Sequence, residues 1–575
     1  MSSMGGVAGN PGAADSIRPR ISWAMGIALV FFMAMAPELR WMEFSDGIEN
    51  LNIETALEMR RGGPWLVPTL MGDARIRKPP LNAWITASSV QPQTVRDMSN
   101  PDPNIRKDAW VRLAWQVRWP ALAAACLTLA FACELGWTLL GPFAGAGGAI
   151  IAGTMLTFSQ QARWATTDVH LGLWVTVANL CLAKMVFERR IWLGLIGTGA
   201  ALGLAFMSKG PVGLLMTVVP VTVFAIGRKY LASPKNAGAR INWIAISIGS
   251  LIGLILFAAI GLTWFAYVAS HNANSWLVWM LEVMRADPSE VASAHWYQYI
   301  IELPHFLPWL PLILVGLWQV GRMVFDWRLL DPKRRDRALR LMYAATLFVL
   351  PLLIMSFFRD RKPRYLYPFA IPAGILAAEA IRNAGRYLLT IHWGVILAMA
   401  IGYPIMGALG VFNMVRVDGQ PWYSTAFGIS VTVVMAMVVA VFILLSWKDR
   451  QVAIIGSGAV MLLSLAIYVW GARRSLSGNG VSEMLPLAQV IWEQYPTAEA
   501  WDLTETKRIP TDLAIYLNRP THMPRTLARI RRNGLPQVIV MLQRQDASLI
   551  APPQGWTYLT KVPRDKDWWV AFVRE

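Results

Sequence analysis

Carboxylates and cations gather in a few short stretches of this chain, at spacings that bring opposite charges within reach of one another. Asp46 and Glu49 lie in the run Phe44 to Asn50, and the helical spacing of residues 49–61 places Glu54 and Glu58 on one face at i, i+4, with Glu49 about a turn earlier. A basic cluster follows, Arg75, Arg77 and Lys78, ahead of Pro79 and Pro80, whose rings stiffen the backbone. Further along come Arg163 and Asp168, then Lys209 in Ser208-Lys209-Gly210-Pro211, then Arg359-Asp360-Arg361-Lys362-Pro363-Arg364-Tyr365. Carboxylates in such company suit a general base or a divalent-metal ligand, with Asp46, Glu49 and Asp168 the candidates for either role. The cations suit an anionic group, whose oxygens charge-assisted hydrogen bonds would hold.

The elements that must carry these residues are apolar. Of 575 residues, 55% are hydrophobic and 15% charged, and the mean hydropathy is +0.41. That composition excludes a soluble enzyme, a disordered chain, a collagen and a coiled coil. Lys and Arg outnumber Asp and Glu 53 to 35, for a formal charge of +18. The excess sits in short patches between apolar runs, the distribution of a polytopic membrane protein and not of a nucleic-acid binder. Cys126, Cys133 and Cys181 all lie in apolar stretches, which leaves no disulfide framework and no CxxC metal site. With no Walker loop and no GxGxxG fingerprint before a helix, no nucleotide cofactor is expected.

About thirteen segments approach the roughly 20 apolar residues of a membrane span. They centre on 21–38, 114–133, 139–157, 168–187, 191–207, 211–227, 243–268, 304–325, 340–358, 365–381, 392–412, 425–446 and 452–471. The N-terminus, with Arg18 and Arg20, reads as a retained anchor. Alternate loops carry Arg189-Arg190, Arg228-Lys229, Lys333 to Arg337, Arg382 with Arg386, and Lys448 with Arg450. The positive-inside rule makes those loops and the N-terminus cytoplasmic. Two long excursions, 39–112 and 270–303, and the tail after 474 then lie outside, in a multi-pass protein of the cell's inner (cytoplasmic) membrane. In the tail, Ser482–Tyr495 reads as an amphipathic helix, while 537–542, 556–562 and 568–573 read as strands. The predicted architecture is an all-α membrane domain over 1–474 and a small extracytoplasmic α/β domain over 475–575.

Each candidate also has a purely structural reading. Asp46 is an ordinary partner for a helix dipole, Lys78 a snorkelling interface lysine and Asp168 a helix cap. Lys209 and the cluster at 359–364 are harder to explain this way, because cations are disfavoured on the outer side. Three outer loops bring cations to one membrane face and two bring carboxylates. A lipid phosphate is the physical expectation. The second excursion, with His271, Asp287 and His295, looks like a loop over the acceptor cavity.

These residues resemble, in order and content, the polyprenyl-phosphate-dependent glycosyltransferases of the GT-C superfamily, in particular the protein-mannosyltransferase and aminoarabinose-transferase group that modifies lipid A. The resemblance rests on Glu49, Glu58-Met59, Gly63-Pro64-Trp65-Leu66-Val67-Pro68, Lys78-Pro79-Pro80-Leu81, Arg163 with Asp168, Lys209-Gly210-Pro211 and Lys362-Pro363-Arg364-Tyr365, and covers roughly residues 20–380. Two positions depart from the pattern. Ile48 stands where the family has Asp before Glu49, so that Asp46 is the nearest aspartate, and Arg77 stands where the aminoarabinose branch commonly has an acid.

The resemblance implies a GT-C fold and an inverting transfer of a sugar from a polyprenyl (undecaprenyl) phosphate donor to a lipid A, glycan or protein acceptor. Asp46 or Glu49 would be base or metal ligand with Asp168 in support, and a divalent metal ion is a candidate cofactor. Lys78, Lys209, Arg361, Lys362, Arg364 and Tyr365 would hold the donor phosphate, with Glu54, Arg75, Arg77, Arg163 and His295 as further substrate contacts. A lipid-linked sugar flippase, and an oligosaccharide ligase or polymerase, are the alternatives. Against the flippase, the charges cluster at one face and no internal repeat is evident.

Overall fold

In the computed structural model the described residues are 11–40, 42, 44, 47–231, 242–284, 295, 297–358, 361–408, 416–417, 420–421, 425–472, 484–502, 511–519, 521–522, 530, 534–544, 551–564 and 567–575. The helices run in chain order as α1 (Pro11–Met35), α2 (Gly47–Arg60), α3 (Leu81–Ser89), α4 (Pro92–Asp97), α5 (Pro103–Leu140), α6 (Pro142–Thr154), α7 (Leu156–Gln161), α8 (Thr167–Glu188), α9 (Ile191–Lys209), α10 (Val212–Leu231), α11 (Trp243–Phe257) and α12 (Thr263–His271). They continue as α13 (Ser275–Met284), α14 (Gln298–Ile301), α15 (Leu310–Phe325), α16 (Pro332–Met355), α17 (Ala370–Arg382), α18 (Arg386–Ala408), α19 (Thr425–Ser446), α20 (Arg450–Ala472), α21 (Leu485–Gln494) and α22 (Thr511–Leu517). The strands are β1 (Thr69–Leu70), β2 (Asp73–Ala74), β3 (Arg416–Val417), β4 (Gln420–Pro421), β5 (Glu499–Asp502), β6 (Thr521–His522), β7 (Gln537–Arg544), β8 (Thr557–Arg564) and β9 (Asp567–Arg574).

Six helical stretches among the described residues are long and apolar enough to cross a membrane: α5, α8, α9, α10, α16 and the Trp243–His271 stretch of α11 and α12. Three expected spans are interrupted. The segment at 139–157 breaks at Met155, whose extended backbone separates α6 from α7. Ala258–Leu262 forms a π-helical turn between α11 and α12. Pro363–Phe369 is a 3₁₀ turn ahead of α17, so the expected span at 365–381 becomes helix proper only at Ala370. Small residues let the backbones approach: a Cβ on Gly199 of α9 would run into the backbone of Gly253 in α11. In lipid, where apolar surface alone does not drive helices together, such close packing holds them.

The first excursion builds a second layer. α2, the β1–β2 hairpin, α3 and α4 lead into the N-terminal part of α5, whose 38 residues extend to about 57 Å at 1.5 Å per residue. Phe44, Ile53, Leu57, Met98, Trp110 and Leu113 share one core with Met484, Leu487, Ile491 and Tyr516 of the tail. The tail itself is a five-stranded mixed sheet in the order β6-β5-β7-β9-β8. β5 runs parallel to β6 and β7, and β9 runs antiparallel to β7 and β8. Alternation along the strands sends Val538, Val540 and Ala571 to the core shared with the excursion and Ile539, Val570 and Phe572 to the opposite face. Asn518, in left-handed backbone (φ 50°) just past α22, donates to the Val95 carbonyl at 2.7 Å and accepts from Arg61 of the excursion at 3.2 Å. The tail is thus fused to the excursion that carries the candidate site residues.

Candidate active site

Asp168 organises the site. It stands in the first turn of α8, where a carboxylate complements the helix dipole, but it does not cap the helix: the N-cap is Thr166, without a side-chain bond. The carboxylate, 1% exposed, is ion-paired with Lys209 and faces Arg364 Nε at 3.5 Å. Lys209 is the last residue of α9, where Gly210 (φ 70°) turns the chain toward α10. Its ammonium also lies 3.9 Å from the centroid of the Tyr365 ring, and the Arg364 guanidinium 5.1 Å from the same ring. Both contacts are cation–π attractions on an aromatic face. The turn bearing Arg364 and Tyr365 is held close to α8 because Gly172 has no side chain; a Cβ there would strike the Tyr367 ring.

Lys78 enters from the first excursion. Asn82, the second residue of α3, donates to the Ser208 carbonyl at 3.0 Å, which seats Lys78-Pro79-Pro80 beside the end of α9. Lys78 and Arg364 both lie within electrostatic range of the Lys209 ammonium. Lys78 is ion-paired with Glu282 of α13, and Arg77 Nε lies 4.0 Å from the same carboxylate. Trp279 of α13 donates to the Ile76 carbonyl at 2.9 Å, and Trp264 of α12 to the Leu66 carbonyl at 2.7 Å. The second excursion is thereby pinned onto the first.

The acidic face of α2 is committed to holding the excursion in shape. Glu49 takes Arg118 Nε at 2.8 Å on one oxygen and Arg118 Nη2 at 2.7 Å on the other, and it also accepts from the Ala165 amide at 2.8 Å. Arg118, fully buried in α5, further donates to the Met42 carbonyl at 2.6 Å. Glu58 accepts from Thr69 and from the amides of Met71 and Gly72, closing the hairpin turn. Glu54 is buried and paired with Arg61; burial pushes its carboxyl up to about 7, against the pull of Arg61 and with a smaller upward push from Glu58. Arg75 donates to the Leu51 carbonyl at 2.9 Å and to the Thr55 hydroxyl at 2.6 Å.

The other candidates sit in different surroundings. Arg361 donates to the Ser356 carbonyl at 2.9 Å, Lys362 is exposed and Arg163 is buried in the turn before α8. His295 is exposed and stacks on Tyr297 at 5.0 Å, and His271 stacks on Tyr267 within its own helix. Asp46 and Asp287 lie outside the described residues. Among the described residues no group of three or more His, Cys, Asp or Glu comes together to hold a metal ion. Glu49 and Asp168 face guanidinium and ammonium groups, a donor set that does not fit a divalent cation.

Sequence reasoning missed Arg118 and Glu282. Arg118 carried a signal, since an arginine inside an apolar helix marks a functional or pairing position. Glu282, in the exposed-looking run Trp276 to Met284, carried none.

The family described as dolichyl-phosphate-mannose-protein mannosyltransferase matches residues 111–264. Undecaprenyl phosphate-alpha-4-amino-4-deoxy-L-arabinose arabinosyl transferase 2 of Sodalis glossinidius is 24% identical over 66% of this chain and 62% of its own length, and that of Proteus mirabilis 24% over 62% and 58%. The matched part thus spans about three-fifths of these relatives. The crystal structure of ArnT from Cupriavidus metallidurans bound to undecaprenyl phosphate superposes with a TM-score of 0.69 at 18% identity, covering 96% of this chain and 98% of that one. Its apo state gives a TM-score of 0.68 over 98% of both chains. This chain has the ArnT fold. It is a multi-pass membrane protein in which the ArnT-like fold carries both the helical bundle and the tail.

Proposed function

We propose that this protein is a membrane glycosyltransferase that moves a sugar from a polyprenyl phosphate to an acceptor on the non-cytosolic face of the inner membrane. The observation that carries this reading is the meeting of Lys209, Arg364 and the Tyr365 ring around Asp168, with Lys78 alongside. Four separate segments converge there on a fold shared with a transferase crystallised with undecaprenyl phosphate. Thirteen crossings, a cytoplasmic N-terminus and an extracytoplasmic tail complete the arrangement, in accord with the basic loops. Lipid A is the acceptor that the aminoarabinose-transferase resemblance favours.

In the reaction, an acceptor oxygen attacks the anomeric carbon while the bond from that carbon to the phosphate oxygen breaks on the opposite side, inverting the centre. The phosphate leaves with an added negative charge. Lys78, Lys209 and Arg364 stabilise that charge in place, and preorganised cations of this kind act most strongly where charge develops. Asp168 holds Lys209 and Arg364 in position before the donor arrives. The acceptor proton goes to Asp46, the carboxylate just before α2 in the sequence, because both oxygens of Glu49 are engaged by Arg118. No step runs through a metal.

The test is transfer by purified full-length protein from undecaprenyl-phosphate sugars to an envelope-lipid extract. Asp46→Asn abolishes turnover while donor binding persists. Full turnover by Asp46→Asn would assign the proton to another group.

A further inference from the structure

α13 carries apolar side chains on two faces, and only one of them is covered by protein. On the covered face Trp279 packs edge-on against Phe265, with 5.0 Å between ring centroids, and lies 6.4 Å from Trp264, both in α12. Its indole donates to the Ile76 carbonyl at 2.9 Å, Val278 packs into the same cluster, and Glu282 is ion-paired with Lys78. Val278, Trp279 and Glu282 recur at helical spacing, so these contacts fix which way the helix is turned. On the other face Trp276 is 74% exposed and Leu277 51%, with Met280 and Leu281 each at 39%. These four large side chains, at i, i+1, i+4 and i+5, form one outward stripe that contains no charge.

The depth of this stripe follows from the span it packs on. α11 and α12 form the least covered of the six long apolar stretches, so they border lipid. Trp264 stands 21 residues after Trp243, a rise of about 32 Å at 1.5 Å per residue. The hydrocarbon core is roughly 30 Å thick, which puts Trp264 and the Trp279 ring beside it at a membrane boundary. The first excursion exposes Trp65 and Leu66 at the same level, because Trp264 donates to the Leu66 carbonyl at 2.7 Å. Tryptophans concentrate at that depth. The ten residues of α13 extend about 15 Å, half of a crossing.

We propose that α13 is an interfacial helix whose partner is the lipid leaflet itself, with Trp276, Leu277, Met280 and Leu281 set among the upper acyl chains where α12 leaves the membrane. A helix suits that place because its backbone groups are bonded internally and only apolar side chains meet the hydrocarbon. The leaflet then backs the helix from one side, while Glu282 meets Lys78 on the other. This surface is independent of any transfer chemistry.

The experiment uses full-length protein in lipid nanodiscs, with a thiol-reactive fluorophore attached at Leu277→Cys and, in a second variant, at Leu281→Cys. Lys561→Cys, on exposed β8 of the tail, serves as the aqueous reference. Cys126, Cys133 and Cys181 are buried, and labelling of wild type sets the background. Quenching is read from nitroxide lipids labelled at the headgroup, in the upper acyl chain or near the bilayer centre, and from iodide in water. For a face sunk about 5–10 Å into the leaflet, the upper-chain nitroxide quenches both α13 probes most, at least about twofold, and iodide quenches them little. The Lys561→Cys probe shows the reverse. Iodide quenching of the α13 probes equal to that of the reference puts the face in water and overturns the inference. Protection from both quenchers means that protein covers the face, and strongest quenching from the bilayer centre means that the helix lies in the core; each overturns it as well.

Discussion

Arg118 of α5 grips both carboxylate oxygens of Glu49 in α2, 69 positions apart in the chain and with both side chains buried. The pair ties the first excursion to the helical bundle, and Glu49 also holds the Ala165 amide just before α8. Removing one partner of a buried pair leaves an uncompensated charge, which costs about 3–5 kcal/mol. Arg118→Ala is therefore expected to lose stability on that scale in thermal unfolding of the purified protein, and Glu49→Gln combined with Arg118→Gln to recover part of it. Additive losses in the double variant would show that the two residues act independently.

Lys209 touches the site through charge and through the Tyr365 ring. Under the proposed transfer, Lys209→Ala removes a donor aimed at the leaving phosphate, for which losses of about 10²–10³ in turnover are typical. Lys209→Arg keeps the charge and is expected to retain part of the activity. Steady-state turnover of a lipid-linked donor measures both.

Glu282 neutralises Lys78 and stands within reach of Arg77. In the proposed reaction a donor phosphate has to compete with it. Glu282→Gln leaves Lys78 without that competitor, so the donor KM is expected to fall by about 2- to 5-fold, with kcat little changed. A raised KM would mean that the carboxylate positions Lys78 instead of occupying it.

Glu54 links stability to pH. In the unfolded chain its proton leaves around pH 4.5, whereas burial holds it in the folded protein up to about pH 7. Between those values the folded state binds more protons, so stability falls as pH rises and then levels off above pH 7. The loss is on the order of 3 kcal/mol. Unfolding temperatures across this window should flatten in Glu54→Gln relative to wild type.

Much of the helical plan was legible from apolar length, because a span must satisfy its backbone internally and so declares itself as a continuous run. The turn at Lys209-Gly210-Pro211 and the stiff Lys78-Pro79-Pro80 segment were legible as well, since glycine and proline mark local backbone states. Pairings were not. Nothing local to Glu49 points to Arg118, and nothing local to Lys78 points to Glu282, because both contacts depend on how distant helices pack. The tail illustrates the same limit: β7, β8 and β9 could be read from β-branched and aromatic content, whereas β5 and β6 were not, and the core shared with Phe44, Ile53 and Trp110 is a tertiary fact.

Equilibrium binding of undecaprenyl phosphate to the full-length protein in nanodiscs decides whether cations from separate segments form one phosphate site. Lys78→Ala and Lys209→Ala should each weaken binding by at least about tenfold, while Arg112→Ala, whose partner is Asp97 on the first excursion, binds as wild type does. Wild-type affinity in both lysine variants would mean that these cations do not bind the phosphate.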